Sequence, residues 1–458
     1  MNKLLIALSL ILVTTSTHLA SAKTPDFSDC LLPRSMWNIV SLGAPLAPER
    51  LGNKSAVRLG VIPFSFSDKP STNFSEAERS NYLQGASNIE KLSNGGVKVE
   101  LVFYPTITTK LRFQDASRMV QQRGVGWANW DLSKSTYGIV KEVVKDADPL
   151  IDFSNIDGVI LENKSQSFGS VAEAFQFFRK QPDLEFIKSG LSAGKDFSFH
   201  QSINTQESII DNAVLFDSHK GTEIIVHEIL HNFGLTDLYG GNASNPLTYS
   251  AMASNTMQLL NYERAVLGWF PLDRIKCSNF ADLSKQSLVT NEFTIDTLER
   301  NQLIVLKIND KEANILEVRY EFIVPSLILY ELKQDERPPI AVMSTGNGMG
   351  QRINLSDPAS IGNSLKSNNL HVMISNMKSG VVTLNVIPNV KIDTEEYRAL
   401  QTQALLNQEK ALTLAKAEAE KRASAAKSSK KTIICEKGKK KVTVTAKKPK
   451  CPAGFKTK

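Results

Sequence analysis

The spacing of apolar residues divides the chain into stretches of different period. Val57–Phe66 (VRLGVIPFSF) is almost continuously apolar, as expected of a strand buried on both faces. Helical spacing follows over Ser75–Leu92 and is broken by Asn94-Gly95-Gly96, after which Val97–Phe103 and Gly158–Leu161 read as further strands. Helices are predicted at Lys134–Val144, Val171–Arg179, Thr222–Phe233 and Thr256–Leu267. Strands early and helices later, with irregular loops between, predict an α/β or α+β domain over residues 57–275.

From about Asn279 the texture changes. Leu303–Ile308, Asn314–Val324, Ser326–Leu332, His371–Ser375 and Val381–Ile387 are β-rich runs separated by turn signals, which predicts a small β-sandwich-like domain over 276–390. Lys391–Ala425 is rich in Ala, Glu, Lys and Gln and has few aromatics, so 391–426 is expected to be an exposed helix or semi-rigid spacer. The remaining divisions are 1–22 as a leader, 23–56 as an N-terminal extension and 427–458 as a Lys-rich, Cys-bounded tail. Gly346-Asn347-Gly348-Met349-Gly350 lacks the following helix that a dinucleotide loop needs and reads as a turn.

A length of 458 residues suits two or three units of roughly 100–200 residues. With 41% hydrophobic and 22% charged residues, neither wholesale disorder nor a polytopic membrane protein is expected. The net charge of +7 suggests an anionic partner until it is resolved by segment. Lys427–Lys458 holds 12 Lys against Glu436 alone, or +11, which leaves −4 for everything before it. Nucleic acid is therefore not an expected partner of the folded body. The tail could hold the chain on an anionic wall or surface, or act as a solvated tail.

Met1–Ala22 carries the three parts of a secretory signal: Lys3, the short apolar run Leu4–Val13 and the small-residue site Ala20-Ser21-Ala22. That run is too short to span a bilayer, and no later stretch reaches about 18 uninterrupted apolar residues. An extracellular location is expected, and Cys30, Cys277, Cys435 and Cys451 suit an oxidising compartment. Four cysteines allow three pairings. Cys435–Cys451, closing a short basic loop, and Cys30–Cys277, tying the N-terminal region to the end of the central one, are the favoured pairs. A role for Cys30 as a thiolate blocking a metal is weaker, since it has available partners.

The chemistry is concentrated in Gly221–Gly240, GTEIIVHEILHNFGLTDLYG. His227 and His231 stand four apart, so a helix sends both imidazoles from one face, one turn apart. Two nitrogens can then bind one metal while Glu228 polarises a water. Zinc is the default ion, because it takes His nitrogens and carboxylate oxygens tetrahedrally and keeps a position for water. Gly234 can end the helix in a left-handed conformation, letting the chain fold back so that Asp237 supplies a third ligand. A bare HExxH arises by chance on the order of once per hundred chains of this size, and the spaced Gly and Asp make coincidence rarer. His200, His219 and His371 lack such spacing, and ordinary hydrogen-bonded roles are expected for them.

HEILHNFGLTDLYG resembles the active-site segment of secreted immune-inhibitor-A-like metallopeptidases and, more broadly, of metzincins. Tyr249-Ser250-Ala251-Met252-Ala253 stands where such enzymes place the Met-turn, and Tyr262–Trp269 (YERAVLGW) is similar to the family's YEK-x-x-LGW stretch. Val61–Asp68 resembles its first strand, and Leu316-Glu317-Val318-Arg319 a later Glu-x-Arg strand. Many metzincins have a third His where this chain has Asp237. The resemblance implies a metzincin-like zinc endopeptidase acting on protein or peptide substrates. Glu228 would be its general base, His227, His231 and Asp237 the ligands of one Zn2+, and Met252 the Met-turn residue. Calcium is left open by these residues. Tyr249 or Tyr239 could stabilise an oxyanion, whereas core roles are expected for Tyr262 and Trp269. The alternative is a wall- or surface-binding protein whose peptidase-like domain is inactive.

Overall fold

In the computed structural model the described residues are 30–34, 41–121, 136–169, 171–179, 200–239, 249–253, 256–285, 292–296, 302–321, 324–334, 339–342, 352–428, 431–446 and 448–458. The Met1–Ala22 leader and the Gly346–Gly350 turn lie outside them.

The apolar run at the start of the first domain forms β1 (Ala56–Phe66), the centre of a mixed sheet. It runs parallel to β2 (Lys98–Phe103), β3 (Ile107–Thr109) and β4 (Gly158–Asn163). After β5 (Ala172–Phe178) come the short strands β6 (His200–Gln201), β7 (Ile203–Asn204) and β8 (Ile209–Ile210), then β9 (Asn212–Phe216). The sheet order is β2-β1-β4-β9-β5-β6, with β4 and β9 parallel and β5 antiparallel to β9. Pro63 sits inside β1 without an N–H to give. Its position faces a break: β2 ends opposite Val61 and β3 begins opposite Phe64.

Alternate residues of β1 serve two cores. Val57, Leu59 and Val61 pack with α1 (Glu76–Leu92), while Ile62, Phe64 and Phe66 pack with α2 (Phe113–Gln121) and α3 (Thr136–Ala147). Both faces are covered, which is why the strand reads as unbroken apolar sequence. A capping box starts α1, with the Glu78 N–H donating to Ser75 Oγ at 3.2 Å and the Ser75 N–H to Glu78 Oε2 at 2.6 Å. The predicted helix Thr222–Phe233 is present as α4 and joins the first core through Ile225, Val226, Ile229, Leu230 and Phe233. Ile224, on the same helix, is 36% exposed.

Two predicted helices are corrected. Val171–Arg179 is strand β5, not a helix. Ala and Glu favour helix locally, but Val171, Phe175 and Phe177 are buried on one face of the strand, and pairing with β9 overrides propensity. Of Thr256–Leu267, only Asn261–Val266 is helical, as α5. That helix starts late because Glu263 Oε2 accepts from the Leu260 N–H at 2.7 Å and Glu317 Oε2 from the Asn261 N–H at 2.8 Å.

The second half is two sheets. One runs β10 (Ile275–Asn279), β12 (Gln302–Lys307), β13 (Glu312–Glu321), β14 (Val324–Lys333) and β15 (Ile340–Val342), with β16 (Arg352–Asn354) also pairing β14. The other is β11 (Glu292–Asp296), β19 (Val381–Pro388), β18 (Leu370–Lys378) and β17 (Ser364–Lys366). Ile304, Leu306, Leu316 and Leu329 face Val372, Ile374, Leu384 and Val386 in one core, with α6 (Phe280–Lys285) at its edge through Leu283. The opposite face of the larger sheet, with Leu303, Val305, Ile315, Ile328 and Tyr330, belongs to the core of α4. The expected division at 275/276 therefore crosses a continuous apolar interior. Cys30–Cys277, with Cα atoms 5.4 Å apart, ties the N-terminal segment to the same seam.

Helix α7 (Glu395–Ser428) corresponds to the expected spacer, but its first turns are docked. Tyr397 and Ala404 are buried in the sandwich core, and Gln408 Nε2 donates to the carbonyls of Ala359 and Ile361. Beyond them the tail forms a hairpin of β20 (Lys431–Lys437) and β21 (Lys440–Ala446), joined by β22 (Lys456–Thr457) and the Cys435–Cys451 disulfide. No helix among the described residues is long and apolar enough to cross a membrane.

Because the cores are shared, residues 1–275 alone should fail to fold, by circular dichroism and soluble yield. The full chain with Cys30→Ser and Cys277→Ser should still fold, losing about 2–4 kcal/mol in denaturant titration. A cooperative, native-like 1–275 fragment would show that the interior is not shared.

Candidate metal centre

α4 is pinned to the sheet by Asn232, whose Nδ2 donates to Ala213 O of β9 at 3.1 Å. The helix ends at Gly234, where φ is +120° and a Cβ would lie 2.8 Å from Leu46 Cδ2. Only glycine meets both conditions, and the turn it makes carries Asp237 back towards the helix.

Both imidazoles are held through Nδ1. His227 Nδ1 donates to Ala251 O at 2.7 Å, and His231 Nδ1 donates to Leu235 O at 2.8 Å. A carbonyl can only accept, so each neutral ring keeps its lone pair on Nε2. Those two Nε2 atoms each lie 3.2 Å from the same oxygen, Asp237 Oδ1. Nearly half of the Asp237 side chain is exposed, yet Oδ1 itself is shielded and receives no hydrogen bond.

Three lone-pair donors facing one point repel each other unless a cation lies between them. The spacing is right for one, since a tetrahedral ion with bonds of about 2.0 Å separates its ligands by about 3.3 Å. His227, His231 and Asp237 thus fit a divalent metal on their own geometry. Without metal, a proton takes that place. Burial opposes charge on His231, but the Asp237 carboxylate overrides it, and the imidazolium is pushed up to about 9. Asp237, also penalised by burial, is held below the usual carboxylate range by the two histidines beside it when they are protonated.

Glu228 is buried beside this group. Burial raises its carboxyl above the ordinary value, while His231 and His227 pull it down. The antiparallel strand β5 also faces it, and the Ala174 N–H favours its charged form. Tyr239 lies with its ring 5.8 Å from that of His227 and is 49% exposed. Tyr249 is instead buried, its ring 5.7 Å from the Arg319 guanidinium. Tyr262 is wholly buried, its hydroxyl accepting from the Leu32 N–H, and Trp269 packs edge-on against Phe233.

Met252 is also fully buried, and its carbonyl accepts from the Leu238 N–H at 2.8 Å. Its own N–H donates to Ser250 Oγ, which donates to Glu263 Oε1 at 2.9 Å. Burial pushes Glu263 up to about 8, against the donations from Ser250 and Leu260. Gln258 O accepts from the Ala251 N–H, and Gln258 Oε1 from Arg319 Nη2 at 2.6 Å. Arg319 also bridges to Glu317 Oε1 and Leu259 O, both at 3.0 Å. The carbonyl that orients His227 therefore hangs from side chains of β13. Sequence reasoning flagged Glu317 and Arg319 by resemblance only, and no periodicity marks them as supports.

A second cluster escaped the sequence reading. Glu78, Glu162 and His219 bring ligand atoms within 4.8 Å of one another, although their spacing in sequence is irregular. Here the cation is built in: Lys164 Nζ reaches Glu162 Oε1 at 3.2 Å and Glu78 Oε1 at 2.5 Å, and Tyr82 donates to Glu162. His371 lies elsewhere, in β18 of the sandwich.

A scan against family models finds no match for this chain, and a search of curated proteins finds no significant relative.

Metal must displace the proton that His231 carries below about 9. Zinc affinity, measured by chelator competition, should rise about tenfold per pH unit towards that value and level above it. Asp237→Ala should weaken binding and flatten this slope. A wild-type affinity independent of pH would mean that His231 is already neutral. In the metal-free chain the sign is opposite: the pair's stabilisation is complete below 6.5 and is lost as pH rises through about 9.

Proposed function

We propose that the chain is an exported zinc-dependent endopeptidase of metzincin-like type. The observation that carries this reading is the convergence of His227 Nε2, His231 Nε2 and Asp237 Oδ1, with contacts of 3.2 Å, next to buried Glu228. A zinc ion held by those three side chains would polarise a water and a scissile carbonyl. Glu228 takes the water's proton and later delivers it to the leaving amine. A carboxyl raised by burial and lowered by two imidazoles suits a group that must gain and lose a proton near neutrality. Asp237 keeps the site less positive than a third imidazole would, and Ala251 O and Leu235 O fix both rings before substrate arrives. Of the two tyrosines considered for an oxyanion, Tyr239, half exposed with its ring beside His227, is the better candidate in this reading, because Tyr249 is buried.

Two disulfides are compatible with an oxidising, extracellular setting. The exposed lysines of the tail hairpin supply a means of retention on an anionic wall or surface. The rival reading, a surface-binding protein with an inactive peptidase-like domain, is disfavoured because Glu228 and all three candidate ligands are intact.

Wild type should hydrolyse casein and hold one zinc ion per chain, and Glu228→Ala should keep the zinc but lose at least about two orders of magnitude in rate. Zinc in both proteins with proteolysis in neither would sink the enzyme reading. Separately, deleting 427–458 should release the chain from anionic wall preparations at low salt. Identical partition of truncated and full-length chains would remove the tail's assigned role.

A further inference from the structure

A cavity of about 190 Å³ lies behind the Met252 segment, between the end of α1, the stretch Met257–Leu259, α5 and β13. Its charged lining is Lys91, Arg264 and Arg319, and no acidic side chain lines it. Arg319 has acceptors in Glu317, Leu259 O and Gln258. Arg264 is different. It is only 9% exposed, its Nε is shielded and receives no partner, and its one described side-chain contact is the Phe270 ring at 6.0 Å.

The other buried Lys and Arg side chains among the described residues each have at least two acceptors, although Arg50 Nε, like Arg264 Nε, has no partner. Arg50 donates to Asn212 Oδ1 and Phe177 O, Lys164 bridges Glu78 and Glu162, and Arg319 is paired as above. A guanidinium nitrogen buried without an acceptor forfeits hydration and gets nothing in return. Burial and the neighbouring Arg319 charge both press Arg264 below its ordinary pKa, which is the response to excess positive charge. Glu317 is bound to Arg319, and the C-terminal end of α1 offers only about half a negative charge to the other two cations.

We propose that this cavity is a binding site for a small oxyanion of the phosphate or sulfate type. Arg264 would supply charge-assisted hydrogen bonds from within and Lys91 would close the mouth from the exposed end of α1. Asn94 and Asn261 add neutral polar groups to the lining. The lining shares Gln258 and Arg319 with the path that supports Ala251, but the two residues tested, Arg264 and Lys91, have no contact with the metal ligands, so phosphate binding is read apart from the peptidase reading.

The test is inorganic phosphate titrated into the full-length protein at constant ionic strength, followed by calorimetry and by thermal unfolding. Wild type should bind one phosphate saturably and unfold at higher temperature as it fills. Arg264→Gln should weaken binding by about tenfold or more, and Lys91→Glu, an exposed change with no folding demand, should weaken it in the same direction. Acetate in place of phosphate separates a general carboxylate site from a tetrahedral oxyanion site, and tighter binding of acetate would overturn the assigned class. Equal phosphate affinity in wild type and Lys91→Glu, or no saturable binding in wild type, would overturn the site itself. The Lys-rich tail is common to all three proteins, so its own anion binding cancels.

Discussion

Two backbone carbonyls decide the character of the candidate metal centre. By accepting from Nδ1 of His227 and His231, Ala251 and Leu235 leave both Nε2 lone pairs aimed at Asp237 Oδ1. Without those bonds each ring could turn, or shift its proton, and the three acceptors would cease to converge. Fixing the lone pairs in advance is unfavourable in the metal-free chain, which relieves the repulsion by holding a proton. The same arrangement gives a divalent cation a site that needs little rearrangement. Much of the surrounding structure serves to keep Ala251 and Leu235 in place.

Leu235 follows directly from the end of α4, where Gly234 turns the chain. Ala251 depends on a longer path. Its N–H is bound by Gln258, whose side chain is held by Arg319 of β13, and Arg319 is anchored by Glu317. Glu317 also accepts from the Asn261 N–H and from the Tyr330 hydroxyl at 3.0 Å. A buried carboxylate with one guanidinium and two further donors is a well-satisfied group, and such groups hold one geometry strongly because any other leaves charge unpaired. The β-rich half is thus structurally continuous with the metal centre, through hydrogen bonds as well as through shared apolar core.

What the sequence made legible follows the same division. Residues that act through short spacing were readable: the i, i+4 histidines, the glycine that ends their helix and the carboxylate three residues beyond it. The unbroken apolar runs correctly indicated strands covered on both faces, but not which layers covered them. Strand β5 was misread because Ala and Glu favour helix locally, whereas its pairing with β9 is a long-range fact. Glu78, Glu162 and His219 meet across three separate elements, so no spacing rule could join them. The late start of α5 was hidden for a related reason, since Glu317, an acceptor that caps it, is 56 residues away.

The contrast between Lys164 and Arg264 shows how the same physics yields opposite conclusions at two clusters. At the first, two carboxylates and a histidine meet a lysine already in bonding distance, so a protein cation takes the place that an outside ion would occupy. At the second, cations gather around open volume, and one of them, Arg264, has a buried Nε with no acceptor among the described residues. A metal-like set of ligands is therefore weak evidence for a metal when a protein cation neutralises it. An unpaired buried cation beside a cavity is stronger evidence for a ligand, because the fold alone leaves its cost unmet.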